Sequence, residues 1–225
     1  MSLRERIKNK RLIQLNDKEV MELHLYGLHP YEILDFVMQS TLHETEMTMR
    51  LSRGSAYQRR YAPLLCGFAI LDQIGGCYSD LSKTPPTGQK GIRHALHFFG
   101  KYSYESSESQ YLYALRNGLV HDASFVDCDK KGVWRVFRLN WELPEEIVLP
   151  KKPWNGDYNQ ITFEKITWIN PRKFTDSISD MLINIKKILE NTPCKLNMLM
   201  SKEEMLSKYF DVIPIDHVVR RPIMP

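Results

Sequence analysis

The residues best suited to chemistry lie in one short stretch, Leu112-Tyr113-Ala114-Leu115-Arg116-Asn117-Gly118-Leu119-Val120-His121. An imidazole titrates at about pH 6.5 when unperturbed, so it exchanges protons at neutral pH. A guanidinium is permanently charged and offers a planar fork of donors that matches phosphate oxygens. On a helix advancing about 100° per residue, Leu112, Leu115 and Leu119 form one apolar face. His121 then lies about 180° from Leu112 and Asn117 about 140° from it. Asn117 and His121 are i,i+4 neighbours, and the long Arg116 side chain reaches around from the edge of the core stripe. A core histidine is therefore disfavoured, which leaves a working group or an ordinary surface histidine.

A second stretch concentrates positive charge. Lys83, Lys90, Arg93 and Lys101, with His94 and His97, occur without an acid between residues 83 and 101. Phe98, Phe99 and Tyr102 stand among or beside them, as stacking on unpaired bases would require. The other reading is a solvated loop followed by a half-buried helix.

Several elements must position these residues. Pro30 suits a first helical turn, and Tyr31, Leu34, Val37, Met38, Thr41 and Leu42 follow at three- and four-residue spacing. This predicts a helix from about His29 to Arg53. A second helix, about Tyr57 to Leu81, is apolar on most faces and belongs at the centre of a bundle. It carries Asp72 just before Gly75-Gly76. Residues 82–91 read as a loop. A short helix is expected over about Gly91–Phe99, and another opens near Ser106–Ser109 and carries the motif. The period then shortens. Phe125–Cys128 and Val133–Leu139 alternate around Asp129-Lys130-Lys131-Gly132, a hairpin signature. Glu146–Leu149 and Gln160–Ile166 are candidate strands. Asn170-Pro171 opens a long amphipathic helix ending near Asn191 and Pro193. One short helix, about Lys202 to Tyr209, falls in an otherwise loose tail. The expected fold is mainly α: a helical bundle with a small antiparallel sheet inserted before the last long helix. Its parts are a basic arm or helix over 1–28, the bundle over 29–193 with the β insertion at about 125–166, and a tail over 194–225.

The Arg116-Asn117-x-x-x-His121 pattern resembles the signature of the HEPN superfamily (higher eukaryotes and prokaryotes nucleotide-binding), whose motif is Arg, a polar residue, then His a few positions on. The setting is similar too: a motif late in a helical bundle, after a central helix with an acid in an apolar run, here Asp72. The resemblance covers roughly residues 30–190, with the β insertion outside the minimal bundle. It implies a metal-independent endoribonuclease of the toxin or defence kind, acting in a homodimer. Arg116 would bind the phosphate, His121 would move the proton of the RNA 2′-hydroxyl, Asn117 would orient, and Asp72 would complete the catalytic set. Lys90, Arg93, His94 and His97 would bind substrate. No cofactor or metal is implied. RNA, a second copy of the chain and an antitoxin or other protein are the expected partners. Asp72 has a structural alternative, a hydrogen-bonded buried acid beside a helix kink.

Two other readings stay open. A non-catalytic HEPN-like module would bind nucleotide, RNA or protein with the same residues. An HD-type metal phosphohydrolase would use His121-Asp122 with His94 or His97 and Asp176 or Asp180, and would require a divalent ion.

Composition narrows the remaining classes. The 225 residues are 43% hydrophobic and 26% charged, ordinary for a folded chain, with a net charge of +4. That charge is compatible with a polyanion partner without indicating one. No apolar run approaches membrane-spanning length, and the first residues lack an apolar signal core. Four scattered cysteines fit neither a disulfide framework nor a CxxC zinc site. The expected setting is a reducing cytoplasm. GxSxG, P-loop and GxGxxG patterns are absent.

Overall fold

The computed structural model describes residues 2–27, 31–56, 58–88 and 90–215. In chain order its regular elements are α1 (Leu3–Ile7), α2 (Asp17–Tyr26), β1 (Tyr31–Ile33), β2 (Phe36–Ser40), α3 (Thr41–Arg53), α4 (Ala62–Cys77), β3 (Tyr78–Asp80), α5 (Ile92–Phe98) and α6 (Ser107–Asp122). There follow β4 (Val126–Cys128), β5 (Trp134–Leu139), β6 (Ile147–Val148), β7 (Ile166–Ile169), α7 (Pro171–Asn191), β8 (Leu196–Met198), α8 (Lys202–Tyr209) and β9 (Phe210–Pro214). Among the described residues the fold is mixed α/β, 53% helix and 17% strand in three separate sheets. This corrects the mainly α bundle with one inserted sheet that the periodicity suggests.

The chain divides into two compact units, residues 1–44 with 200–225, and residues 45–199. In the first, a three-stranded antiparallel sheet runs β1-β2-β9. Here the helix expected over His29–Arg53 forms only from Thr41 onward, as α3. His29 and Pro30 lie outside the described residues, while Tyr31–Ser40 forms a hairpin turning at Leu34 and Asp35. Leu34, which the helical stripe would bury, is 48% exposed at the turn. A ten-residue apolar pattern fits both periods, and pairing of Met38 with Val212 decides for strand. The basic N-terminal segment is folded. Arg6 pairs with Glu22 and Lys10 with Glu19, and Ile7 is fully buried.

In the second unit α4 is the central element, flanked by α5, α6 and α7. Its Leu64, Phe68, Leu71 and Ile74 are fully buried, as are Leu112 and Leu115 of α6 and Ile178 and Ile185 of α7. The α4 helix is shorter than expected: Tyr57 is outside the described residues, and β3 takes the expected C-terminal end. β3 pairs with β8 of the expected loose tail. The remaining sheet has the order β4-β5-β7-β6. Its β4–β5 hairpin is antiparallel, but β5 and β7 are parallel, Val136 opposite Ile166. The expected strand over 160–166 is instead made of short 3₁₀ turns, with β7 beginning at Ile166.

Candidate active site on the α4–α6 face

α6 begins at Ser106, whose hydroxyl accepts from the Ser109 amide. It ends at Ala123, which takes the left-handed conformation (φ 49°), and the next amide, Ser124, donates to the Gly118 carbonyl at 2.9 Å. The motif thus occupies the last turns of a helix whose apolar face is in the core. Gly118 permits the close return of the chain: a Cβ there would stand 2.8 Å from the carbonyl oxygens of Ser124 and Val126. β4 therefore leaves directly alongside the motif.

Arg116 is the hub. Its Nε and Nη2 both donate to Oδ2 of Asp72 on α4, at 3.0 and 2.9 Å. Its Nη1 approaches Oδ1 of Asn117 at 3.3 Å and Nε2 of His121 at 3.2 Å. A guanidinium only donates, so the hydrogen bond to His121 requires a neutral ring with Nε2 as acceptor and the proton on Nδ1. Asp72 is held in turn against the turn before α5, where Gly91 has φ 115° and a Cβ would sit 3.0 Å from Asp72 Oδ1. Arg116 side-chain exposure is 23% and Asp72 36%, so the pair is wet but anchored. Its value is orientation more than stability.

Two cavities meet at Arg116. One of about 300 Å³ is lined by Asp72, Lys90, Arg93, Tyr104, Tyr113 and Arg116. The other, about 720 Å³, is lined among others by Arg116, Asn117, His121, Asp127, Lys130, Lys131 and Arg135. In the second, Arg135 pairs with Asp127 at 3.6 Å and Asp129 at 3.1 Å. Burial pushes the Asp127 carboxyl up, with Arg135 opposing. The Val133 amide, above all, pulls Asp129 down. Lys130 and Lys131 are exposed at the hairpin tip. The turn signature Asp129-Lys130-Lys131-Gly132 thus also carries two adjacent cations, which sequence reasoning for the site missed.

The structure thus brings together Arg116, Asn117, His121 and Asp72, with Lys90 and Arg93 in the adjoining cavity. Arg93 is committed to packing: it donates twice to the Tyr104 carbonyl, at 3.0 and 2.6 Å, and stacks on the Tyr104 ring. Lys90 Nζ donates to the Leu199 carbonyl at 2.8 Å. His94 and His97 line neither cavity. His94 is buried against Phe98 and Tyr104, and burial lowers its pKa. His97 Nε2 meets the Thr84 carbonyl at 2.9 Å. Nor does the HD set assemble: Asp176 and Asp180 line a separate cavity with Lys173 and Glu146. Among the described residues no group of three or more His, Cys, Asp or Glu is placed to hold a metal ion, and no helix is long and apolar enough to cross a membrane. No family model, no curated protein and no solved structure matches this chain.

Proposed function

We propose that the α4–α6 face is a metal-independent endoribonuclease site of HEPN type, in a protein of the toxin or defence kind. The observation that carries the reading is the single network joining Arg116 to Asp72, Asn117 and His121 at the edge of two cavities. A phosphate oxygen entering there replaces His121 as the partner of Arg116 Nη1. Nε2 of His121 is then free to take the proton of the RNA 2′-hydroxyl. The 2′-oxygen attacks phosphorus, Arg116 stabilises the charge gathering on the phosphoryl oxygens, and the 5′-oxygen leaves. The proton returns to that leaving oxygen from an imidazolium, so the products are a 2′,3′-cyclic phosphate and a 5′-hydroxyl. Asp72 is the positioning residue: it grips one edge of the guanidinium and aims the other outward.

One such set supplies one imidazole for two proton transfers. A two-fold dimer supplies a second. Tyr113 and Val120, 40% and 47% exposed on α6, provide apolar surface beside the motif for that contact. The test is cleavage of labelled RNA by purified protein in excess EDTA. Cleavage that persists in EDTA, yields cyclic-phosphate ends and is lost in His121→Ala supports the reading. Absence of cleavage by a folded protein, with or without metal, transfers the network to a binding module. Cleavage only with divalent metal refutes the metal-free mechanism.

A further inference from the structure

A third cavity of the same unit, about 370 Å³, is lined by Arg53, Gly54, Arg59, Pro63, Trp141, Pro171 and Arg172. Its lining holds three arginines and one tryptophan, and the Asp176 carboxylate is paired with Arg53. Its parts come from the end of α3, the approach to α4, the chain after β5 and the start of α7, and each is tethered. Arg53 is held by Asp176. The Arg59 guanidinium lies over the Trp141 ring, 5.8 Å from its centroid. Asn170, 1% exposed, ties the last two segments together. Its amide donates to the carbonyls of Trp141 and Leu143 at 2.9 and 2.7 Å, and its oxygen caps the amides of Arg172 and Lys173. Trp141 nevertheless remains 36% exposed. The Arg59 and Arg172 guanidiniums beside a partly bare indole match a phosphate joined to a planar base.

This cavity adjoins the α6 terminus through Tyr61, which lies between Arg59 and Pro63 in sequence. The Tyr61 hydroxyl donates to the Ala123 carbonyl at 2.6 Å, and its ring packs on Phe125 at 5.0 Å. Ala123 is two residues beyond His121, within about 7.6 Å along the chain.

We propose that this arginine–tryptophan cavity is a second RNA-binding site, which takes one nucleotide of a single strand with its phosphate between Arg59 and Arg172 and its base against Trp141. The proposal takes its ligand class from the ribonuclease reading, but it concerns binding and not the chemical step.

The test measures binding of a fluorescein-labelled oligouridylate, by anisotropy across a salt series, in a His121→Ala background that prevents turnover. Trp141→Ala is expected to weaken binding about tenfold, and Trp141→Phe to retain most of it. Arg59→Glu with Arg172→Glu is expected to weaken binding and to reduce the salt slope by about 1.4. Melting curves of each variant identify any that fails to fold, and the arginine pair, exposed at the surface, keeps the test decisive if Trp141→Ala does. Unchanged affinity and salt slope in the folded arginine variant overturn the proposal. Cleavage by the wild type that depends on His121 alone would then leave the catalytic reading standing without this site. Conversely, binding that depends on Trp141 and the arginines in a protein that never cleaves RNA retains the site and removes the catalytic reading.

Discussion

Two neighbouring segments of one unit carry histidine and arginine in patterns that suggest chemistry, and the fold treats them in opposite ways. On α6 the Arg116, Asn117 and His121 side chains turn away from the core, join Asp72 and line open cavities. On α5 and its flanks the charges are spent on the protein's own backbone. Arg93 serves the Tyr104 carbonyl, Lys83 the His97 carbonyl and Lys90 the Leu199 carbonyl, while His94 fills an aromatic cluster. A cation that satisfies a backbone carbonyl stabilises a loop that would otherwise carry an unpaired acceptor, and it has less left to give a ligand. Residue type and local density are alike in the two segments; the difference lies in which partner each side chain meets first.

The sharpest way to break this contrast is His121→Ala. RNA cleavage is expected to fall by about 10²–10⁴-fold, the usual contribution of a positioned acid–base group. Because His121 is exposed, the melting temperature is expected to stay within about 2 °C of wild type. A large drop in melting temperature would make it a structural residue like His94.

Asp72→Ala comes next, with an expected loss of up to about 10²-fold, since it leaves the Arg116 fork unaimed. The effect should fall on kcat more than on KM. Asp72→Asn, whose amide oxygen still accepts both N–H groups, should recover part of it. Equal loss in both variants would assign the carboxylate a direct part in the chemistry.

His94 tests the other segment through pH. Burial lowers its pKa, so the folded state favours the neutral ring. The stability this contributes is present above the unfolded value of about 6.5 and is lost as pH falls through the lowered folded value. The wild-type melting temperature should decline from pH 7 towards pH 5, and His94→Leu should flatten that decline without changing cleavage at pH 7.5. An identical pH profile in the variant would show that His94 is not the group protonated.

The smallest effect belongs to Lys90→Gln. Lys90 lines the cavity beside Arg116, so RNA affinity should fall about two- to threefold and the salt slope by about 0.7. Lys83 also serves a backbone carbonyl but lines neither cavity beside Arg116, so Lys83→Gln should change neither. Equal behaviour of the two lysines would return the whole 83–101 stretch to solvated surface.

Local signals were legible wherever neighbours in the chain settle a structure. The caps at Ser106 and Asn170, the 3.6-residue stripes of α6 and α7, the short α8 and the β4–β5 hairpin follow from sequence because their hydrogen bonds close within a few residues. The placement of Arg116, Asn117 and His121 along one helix edge was legible for the same reason. What sequence could not supply depends on partners far along the chain. Tyr31–Ser40 is a hairpin and not a helix because β9, some 170 residues later, pairs with β2. β3 is a strand because β8 lies beside it, and β5 accepts β7 in parallel across a crossover that no local pattern specifies. The same holds at the site. The union of Asp72 with Arg116 spans 44 residues and comes from the packing of α4 and α6, and the convergence of Arg59, Trp141 and Arg172 spans more than a hundred. Helical periodicity sets which way a side chain leaves its own helix; the packing of distant elements sets what it finds there.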